Sequence, residues 1–309
     1  MEFAHASVMV EEAIRLLRPA PGGRYLDGTL GGGGHAERIL MESSPDGEVV
    51  GLDRDDEALR AARNRLQRFG KRLEARQASF ESAKEILAEV HWETVDGLIL
   101  DLGISSHQVE SAERGFSFRL QGRLDMRMDR RQSLDAYQIV NTFSVGDLER
   151  ILREFGEEPQ ARRIASAIGA AREVKTLETT EELAKLVEKV KGSRHRERHP
   201  ATQTFQALRI AVNGELQHLS RFLEKGYELL RPEARMVIIS FQSLEDRLVK
   251  TAFRKWNREC LCPPRTPVCH CGWSRKVKLL TRRPMTPSGE ELSVNPRARS
   301  AKLRAVERI

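Results

Sequence analysis

Two kinds of apolar pattern alternate along the first hundred residues. Residues 8–17 place Val10, Ala13, Ile14 and Leu17 at helical spacing. Residues 24–26 begin a first strand, and 36–41 open a first helix after a glycine run. Residues 48–52 predict a second strand and 56–69 a basic helix; 73–77 predict a third strand and 82–88 a third helix. After Trp92, residues 95–100 are almost continuously apolar, as in a parallel strand buried on both faces. Strand and helix in strict alternation predict an α/β fold with a doubly wound sheet.

The rhythm then stops. The next buried-strand pattern is at 236–239, more than a hundred residues later, whereas a crossover needs only about a dozen. Helical spacing fills the interval. Ser144 and Asp147 form a capping-box pattern before 148–155. Ile164, Ala165 and Ile168 mark 159–172, Thr179 to Glu182 cap 183–190, and 201–212 is a further helix. The expected organisation is a sheet domain, 1–112 and 213–309, interrupted by an inserted helical substrate-recognition domain, 113–212. A helix over 215–230, a turn at Arg231-Pro232 and the strand 236–239 follow the insertion.

Composition adds little until charge is mapped. The chain has 309 residues and a net charge of +7, and residues 275–309 carry all of that excess, with ten Lys or Arg against three Asp or Glu. A second basic stretch, 191–198, is flanked by His199. Either segment alone reads as a solvated surface; two on a nucleotide-type scaffold point to a polyanion, most simply nucleic acid. No apolar run approaches the roughly 20 residues a membrane helix needs, and the N-terminus lacks a signal-peptide pattern. A cytoplasmic location is expected.

The chemistry gathers at predicted strand ends. Gly31 to Gly34 follow the first strand, and the run through Ala36 fits G-x-G-x-x-A, a pattern that would suit NAD. Asp53, 20 residues after Gly33, ends the second strand, where a carboxylate can accept the ribose hydroxyls of an adenosine cofactor; Asp55 or Asp56 is the expected helix cap. These features suit NAD and S-adenosylmethionine equally. The fourth strand separates them: it ends in Asp101-Leu102-Gly103-Ile104-Ser105-Ser106, a small polar loop led by an acid. Acceptors that hold the hydrogens of an exocyclic amine bias its lone pair towards a sulfonium methyl, and in-line orientation supplies much of the rate. Asp101 is the candidate catalytic residue.

Several motifs together resemble one family. They are Asp27-Gly28-Thr29 with Gly33-Gly34-His35, Asp53-Arg54-Asp55, the Asp101 to Ser106 loop, Glu113 to Phe118, Leu124 to Met128, His199 to Thr202, Ser240 to Arg247, and Asn295 to Ser300. The chain resembles the bacterial RsmH (formerly MraW) methyltransferases over nearly its whole length. That resemblance implies a Rossmann-like class I S-adenosylmethionine-dependent methyltransferase sheet. It implies methylation of the exocyclic N(4) amine of a cytidine in the decoding region (P site) of 16S ribosomal RNA, within the small ribosomal subunit. It also implies cofactor contacts at Gly33, Gly34, His35, Asp53, Phe80, Asp101 and Gln108. Two positions depart from the family: Gln242 stands where it usually has His, and His107 where it often has Pro. Gln cannot titrate near neutral pH, so an acid-base role at 242 is not expected.

On the substrate side, Phe116, Phe118 and Phe241 are candidate stacking faces, and Arg114, Arg119, Arg123 and Arg127 candidate phosphate contacts. Asp125 and Asp129 beside these arginines also suit structural ion pairs. Cys260, Cys262, Cys269 and Cys271 lie within twelve residues, close enough to hold one structural zinc or to remain free thiols in a loop; a cytosolic disulfide knot is disfavoured. Two other function classes remain open at this point: an NAD-dependent oxidoreductase, and a ribosome-assembly RNA-binding protein retaining a methyltransferase fold.

Overall fold

The computed structural model describes residues 7–192, 199–263, 266 and 268–309. The chain divides into two compact units, Met1–Gly103 with Leu216–Ile309, and Ile104–Glu215.

The first unit is built on seven strands: β1 Arg24–Asp27, β2 Glu48–Asp53, β3 Leu73–Gln77, β4 Val95–Asp101, β5 Leu230–Ser240, β6 Val277–Leu279 and β7 Lys302–Arg308. Their order is β3-β2-β1-β4-β5-β7-β6. The first five are parallel, and β7 runs antiparallel to both β5 and β6. This is the Rossmann-like sheet expected of a class I methyltransferase. Because successive strand residues point to opposite faces, the alternation sorts two cores. Leu26, Val50, Leu98, Leu100, Met236 and Ile238 bury on one side. Tyr25, Val49, Ile99, Val237, Ile239 and Leu303 bury on the other. Val95–Asp101 is buried almost throughout, as its unbroken apolar run requires.

Helices cover both faces. α1 Val10–Leu17, α2 Gly34–Glu42 and α3 Asp56–Leu66 lie on the Tyr25 side; α4 Ala83–Glu89 packs on the Leu26 side. The second unit holds α5 Ser106–Glu110, α6 Ala136–Thr142, α7 Val145–Gly156, α8 Ala161–Val174, α9 Thr180–Lys191 and α10 Thr202–Asn213 around its own core, which includes Leu124, Ile139, Leu152, Ile164, Val187 and Leu208. α11 Glu215–Lys225 and α12 Ser243–Trp256 return to the Leu26 side of the sheet, and α13 Gly289–Val294 precedes β7. The caps follow their side chains. Ser144 accepts from the Asp147 amide, and Thr179 and Glu182 close a reciprocal capping box. Asp55, rather than Asp56, caps α3.

Four details depart from the sequence pattern. The helix predicted over 56–69 ends at Leu66, and a 3-10 stretch follows because Gly70 has φ +56°. The helix predicted over 215–230 ends at Lys225, and β5 already begins at Leu230. The turn at Arg231-Pro232 is an irregularity inside β5, where pairing skips from Val95 to Gly97 and Glu233 takes φ +70°. The largest departure is at the C-terminus: the basic segment 275–309 contributes β6 and β7, and β7 sits inside the sheet, not on a solvated tail. Charge masked its period-two pattern. Leu303, Ala305 and Val306 are buried, and Arg304 between them is only 7% exposed because it pairs with Asp246 at 2.7 and 3.2 Å.

Candidate functional site at the carboxyl ends of the strands

The order of the sheet reverses at β1, whose neighbours are β2 and β4. Open parallel sheets bind ligands beyond the strand ends at such a reversal. Three carboxylates stand there: Asp27 ends β1, Asp53 ends β2 and Asp101 ends β4. The loop after β1 is tied to all three strands. Gly28 N donates to the Ile99 carbonyl at 3.0 Å, Leu30 N to the Leu52 carbonyl at 2.8 Å, and Gly31 N to Asp53 Oδ2 at 2.8 Å. Asp53 Oδ1 also accepts from Asp55 N at 2.8 Å. Across the reversal, Asp101 N donates to Thr29 Oγ1 at 2.6 Å.

The protein itself requires glycine at 33, and a side chain at 34 would have to displace Ser7. Gly33 has φ +81°, and a Cβ there would lie 2.9 Å from Leu66 Cδ1. A Cβ on Gly34 would lie 2.0 Å from Ser7 Oγ. His35, in the first turn of α2, is buried; its Nε2 donates to the Val8 carbonyl at 3.0 Å, so Nε2 carries a hydrogen. Its Nδ1 faces Asp101 Oδ2 at 3.9 Å. Phe80 lies beyond β3, its Cβ 3.0 Å from where a Gly28 Cβ would stand, and its ring meets Phe222 edge-on at 5.6 Å.

The electrostatics are unusual for so small a region. Burial raises Asp27 to about 7, with the charges of Asp101 and Asp53 pushing the same way and the Thr29 amide opposing. Burial raises Asp101 to about 7, opposed by the Gly103 amide and reinforced by Glu245 and Glu291. Asp53 rises to about 6 for the same first reason, held back by the Asp55 and Gly31 amides. Among the described residues, Asp27 Oδ2 and Asp101 Oδ1 are buried acceptors with no hydrogen-bond partner. Buried polar atoms are normally paired, so these two oxygens at the sheet reversal are free to accept hydrogens from a ligand. The three carboxylates suit a cation and repel a pyrophosphate, which favours a sulfonium cofactor over a dinucleotide. The sequence showed Asp27 only as part of the Asp27-Gly28-Thr29 motif and gave it no site role; an acid directly before the glycine loop was the available signal.

The structure brings Gly33, Gly34, His35, Asp53, Phe80 and Asp101 together in the first unit. Gln108 belongs to the second, where it is buried and closes a capping box with Ser105. Gln242 caps α12 in a reciprocal box with Glu245. Phe241 packs on the loop after β4, with its Cε2 2.9 Å from where a Gly103 Cβ would stand.

Several substrate-side expectations are corrected. Phe116 is buried in the core of the second unit and offers no stacking face. Phe118 is already stacked on His199, with ring centroids 4.2 Å apart. Arg114 is 1% exposed and donates to the Arg127 carbonyl at 2.9 Å. Arg127 grips Asp125 with two bonds of 2.8 Å, and Asp129 holds Arg131 likewise, so the ion-pair reading of these acids holds. Arg123 reaches Asp135 at 3.3 Å, while Arg119 is exposed. Of the basic stretch 191–198, Lys191 is buried against Glu158, and 193–198 lie outside the described residues. In the C-terminal segment Arg282, Arg283, Arg297 and Arg299 are exposed. The four cysteines cluster between α12 and β6 in the first unit. No helix among the described residues is long and apolar enough to cross a membrane.

Comparison with known proteins agrees with this geometry. A family model described as the MraW methylase family matches residues 2–309. The protein named ribosomal RNA small subunit methyltransferase H in Trichlorobacter lovleyi is 51% identical, covering 100% of this chain and 99% of its own. Its namesakes in Citrifermentans bemidjiense (100% and 99% covered) and Geobacter sulfurreducens (100% of both) are 50% and 49% identical. With a match from one end to the other, the chain belongs to the MraW methylase family.

Proposed function

We propose that this protein transfers a methyl group from S-adenosylmethionine to the exocyclic N(4) amine of a cytidine in the decoding region of 16S ribosomal RNA. The observation that carries the reading is the pair of unpartnered buried carboxylate oxygens, on Asp27 and Asp101, beside the glycine loop at the sheet reversal. Gly33, Gly34, His35, Asp53, Phe80, Asp101 and Gln108 are the proposed cofactor contacts. When bound, S-adenosylmethionine supplies an electrophilic methyl on a cationic sulfur.

Asp53 is the ribose acceptor in this reading. Its oxygens accept the Gly31 and Asp55 amides, and a carboxylate has about four acceptor sites, which leaves capacity for a hydroxyl. Asp101 accepts hydrogens of the target amine and turns its lone pair towards the methyl. Its raised pKa lets it take up the proton that the amine loses. The Thr29 hydroxyl fixes Asp101 through its backbone. The helical unit is the proposed RNA-recognition domain, and the exposed Arg282, Arg283, Arg297 and Arg299 supply phosphate contacts. Zinc belongs to the architecture in this reading, and the transfer runs on the S-adenosylmethionine pocket alone. The protein then works in the cytoplasm, on the small subunit or its RNA.

The test offers 16S RNA and intact small subunits, both from a strain lacking the modification, with labelled cofactor. Digestion to nucleosides and mass spectrometry should find N(4)-methylcytidine. If the protein binds S-adenosylmethionine yet labels neither form, the RNA-binding alternative replaces this reading.

A further inference from the structure

Residues 257–276, between α12 and β6, contain no helix or strand among those described. That exceeds the ~12–15 residues that compact domains usually leave without regular structure. Such a stretch needs something other than a ladder or an apolar core to order it. Within it, the sulfurs of Cys260, Cys262, Cys269 and Cys271 all lie within 4.8 Å of one another.

The separations are diagnostic. Cys260 Sγ is 3.3 Å from Cys269 Sγ and 3.6 Å from Cys271 Sγ. Cys269 Sγ is 3.5 Å from Cys271 Sγ and 3.9 Å from Cys262 Sγ. A disulfide would bring two sulfurs to about 2.05 Å and leave the other two apart. Four thiolates at ~2.3 Å from one zinc stand about 3.8 Å from each other, the edge of a tetrahedron. The observed set surrounds that value. Backbone amides support the sulfurs: Leu261 N donates to Cys271 Sγ at 3.4 Å and Cys262 N to Cys260 Sγ at 3.3 Å. Such bonds stabilise thiolate charge and orient the ligands.

We infer that Cys260, Cys262, Cys269 and Cys271 hold one Zn²⁺ in a closed four-sulfur site that cross-links the two limbs of the loop between α12 and β6 to each other. All four positions are taken by protein, so no place is left for water or substrate, and the role is structural. The clasp has a defined load. Immediately beyond Cys271, Trp273 donates from Nε1 to the Arg258 carbonyl at 3.0 Å and stacks edge-on to Tyr227, with centroids 6.2 Å apart. Lys276 N bonds the Trp256 carbonyl at 2.8 Å, and β6 starts at the next residue. The metal thus fixes the approach to β6, a three-residue edge strand that pairs with β7 alone.

The full-length protein, purified reduced and without added metal, is assayed by plasma mass spectrometry and thiol titration. About one zinc per chain is expected, released when four thiols are titrated by a mercurial. Stripped wild-type protein refilled with Co²⁺ should show the strong visible bands of tetrahedral cobalt thiolate, a readout independent of any variant's folding. Cys260→Ser with Cys269→Ser should lose the zinc and lower the melting temperature, while the S-adenosylmethionine Kd, measured below that temperature, changes less than about twofold. A mass two or four units low from disulfides, stoichiometric iron, or stripped protein that fails to take up zinc or cobalt would each overturn the assignment. None of these outcomes depends on methyl transfer.

Discussion

The backbone amide of Asp101 donates to the side-chain oxygen of Thr29 across 2.6 Å, joining the tip of β4 to the loop after β1. The bond spans the place where the strand order reverses, and it sets where the Asp101 carboxylate can point. Thr29→Val keeps the shape and removes the acceptor, leaving a part-buried amide unpaired at a cost of about 1–3 kcal/mol. Turnover should fall and the urea midpoint with it, whereas Thr29→Ser should retain both. Equal kcat in the valine variant would detach Asp101 from its proposed role.

Asp53 and Asp101 should separate binding from chemistry. Asp53→Ala removes the acceptor for two loop amides and the proposed ribose contact, so S-adenosylmethionine affinity should fall at least about tenfold, or ~1.4 kcal/mol, by calorimetry. Asp101→Ala should act mainly on kcat. Were neither affinity nor kcat to move in either variant, the site map would be wrong.

The raised carboxylates make a signed prediction about pH. Asp27 and Asp101 ionise near 3.8 when unfolded and near 7 in the fold, so the native state binds more protons between those values. Their contribution is complete below the unfolded pKa and is lost as pH rises through about 7. Asp27→Asn should therefore gain most relative to wild type near pH 8 in denaturant titrations, less near pH 5, and little below about pH 4. A cation favours the ionised carboxylates, so S-adenosylmethionine affinity should rise as pH climbs through 7. S-adenosylhomocysteine, whose sulfur is neutral, should follow pH less steeply; identical pH profiles for the two would remove the carboxylates from the sulfonium's neighbourhood.

Gly33 carries φ +81° and stands against Leu66. Gly33→Ala adds left-handed strain of about 1–2 kcal/mol and a clash with that leucine. The glycine loop should shift, weakening cofactor binding as well as lowering the melting temperature. Adding Leu66→Ala should recover part of the lost affinity, because the clash goes, while the melting temperature falls further with a buried core leucine removed.

Arg304 tests the corrected reading of the basic C-terminus. Its guanidinium is buried on β7 against Asp246, whose carboxyl is held below the usual range by that arginine despite burial. Arg304→Ala leaves Asp246 with Lys302 at 3.7 Å as its remaining ion-pair partner and should cost about 1.5–3 kcal/mol in chemical denaturation, the range for a lost charged hydrogen bond. Substituting Arg299, an exposed arginine proposed to contact phosphate, should cost almost nothing in the same experiment and weaken RNA binding instead.

The amino-acid sequence by itself determined the first four strands, their intervening helices and most caps. Each depends on neighbours in the chain: an unbroken apolar run for β4, Ser144 before Asp147, Thr179 before Glu182. The strand-end positions of Asp53 and Asp101 followed from the same local rules. Tertiary structure alone decided the rest. β7 is strongly charged along its length and becomes a sheet strand only because β5 and β6 offer free edges and Asp246 neutralises Arg304. Arg114 and Lys191 looked like a basic surface and became internal because their acceptors, the Arg127 carbonyl and Glu158, come from elsewhere in the chain. The raised pKa values of Asp27 and Asp101 belong to no residue singly. Desolvation is set by whatever covers a carboxylate, and here that is a sheet whose strands meet only after the whole fold has closed.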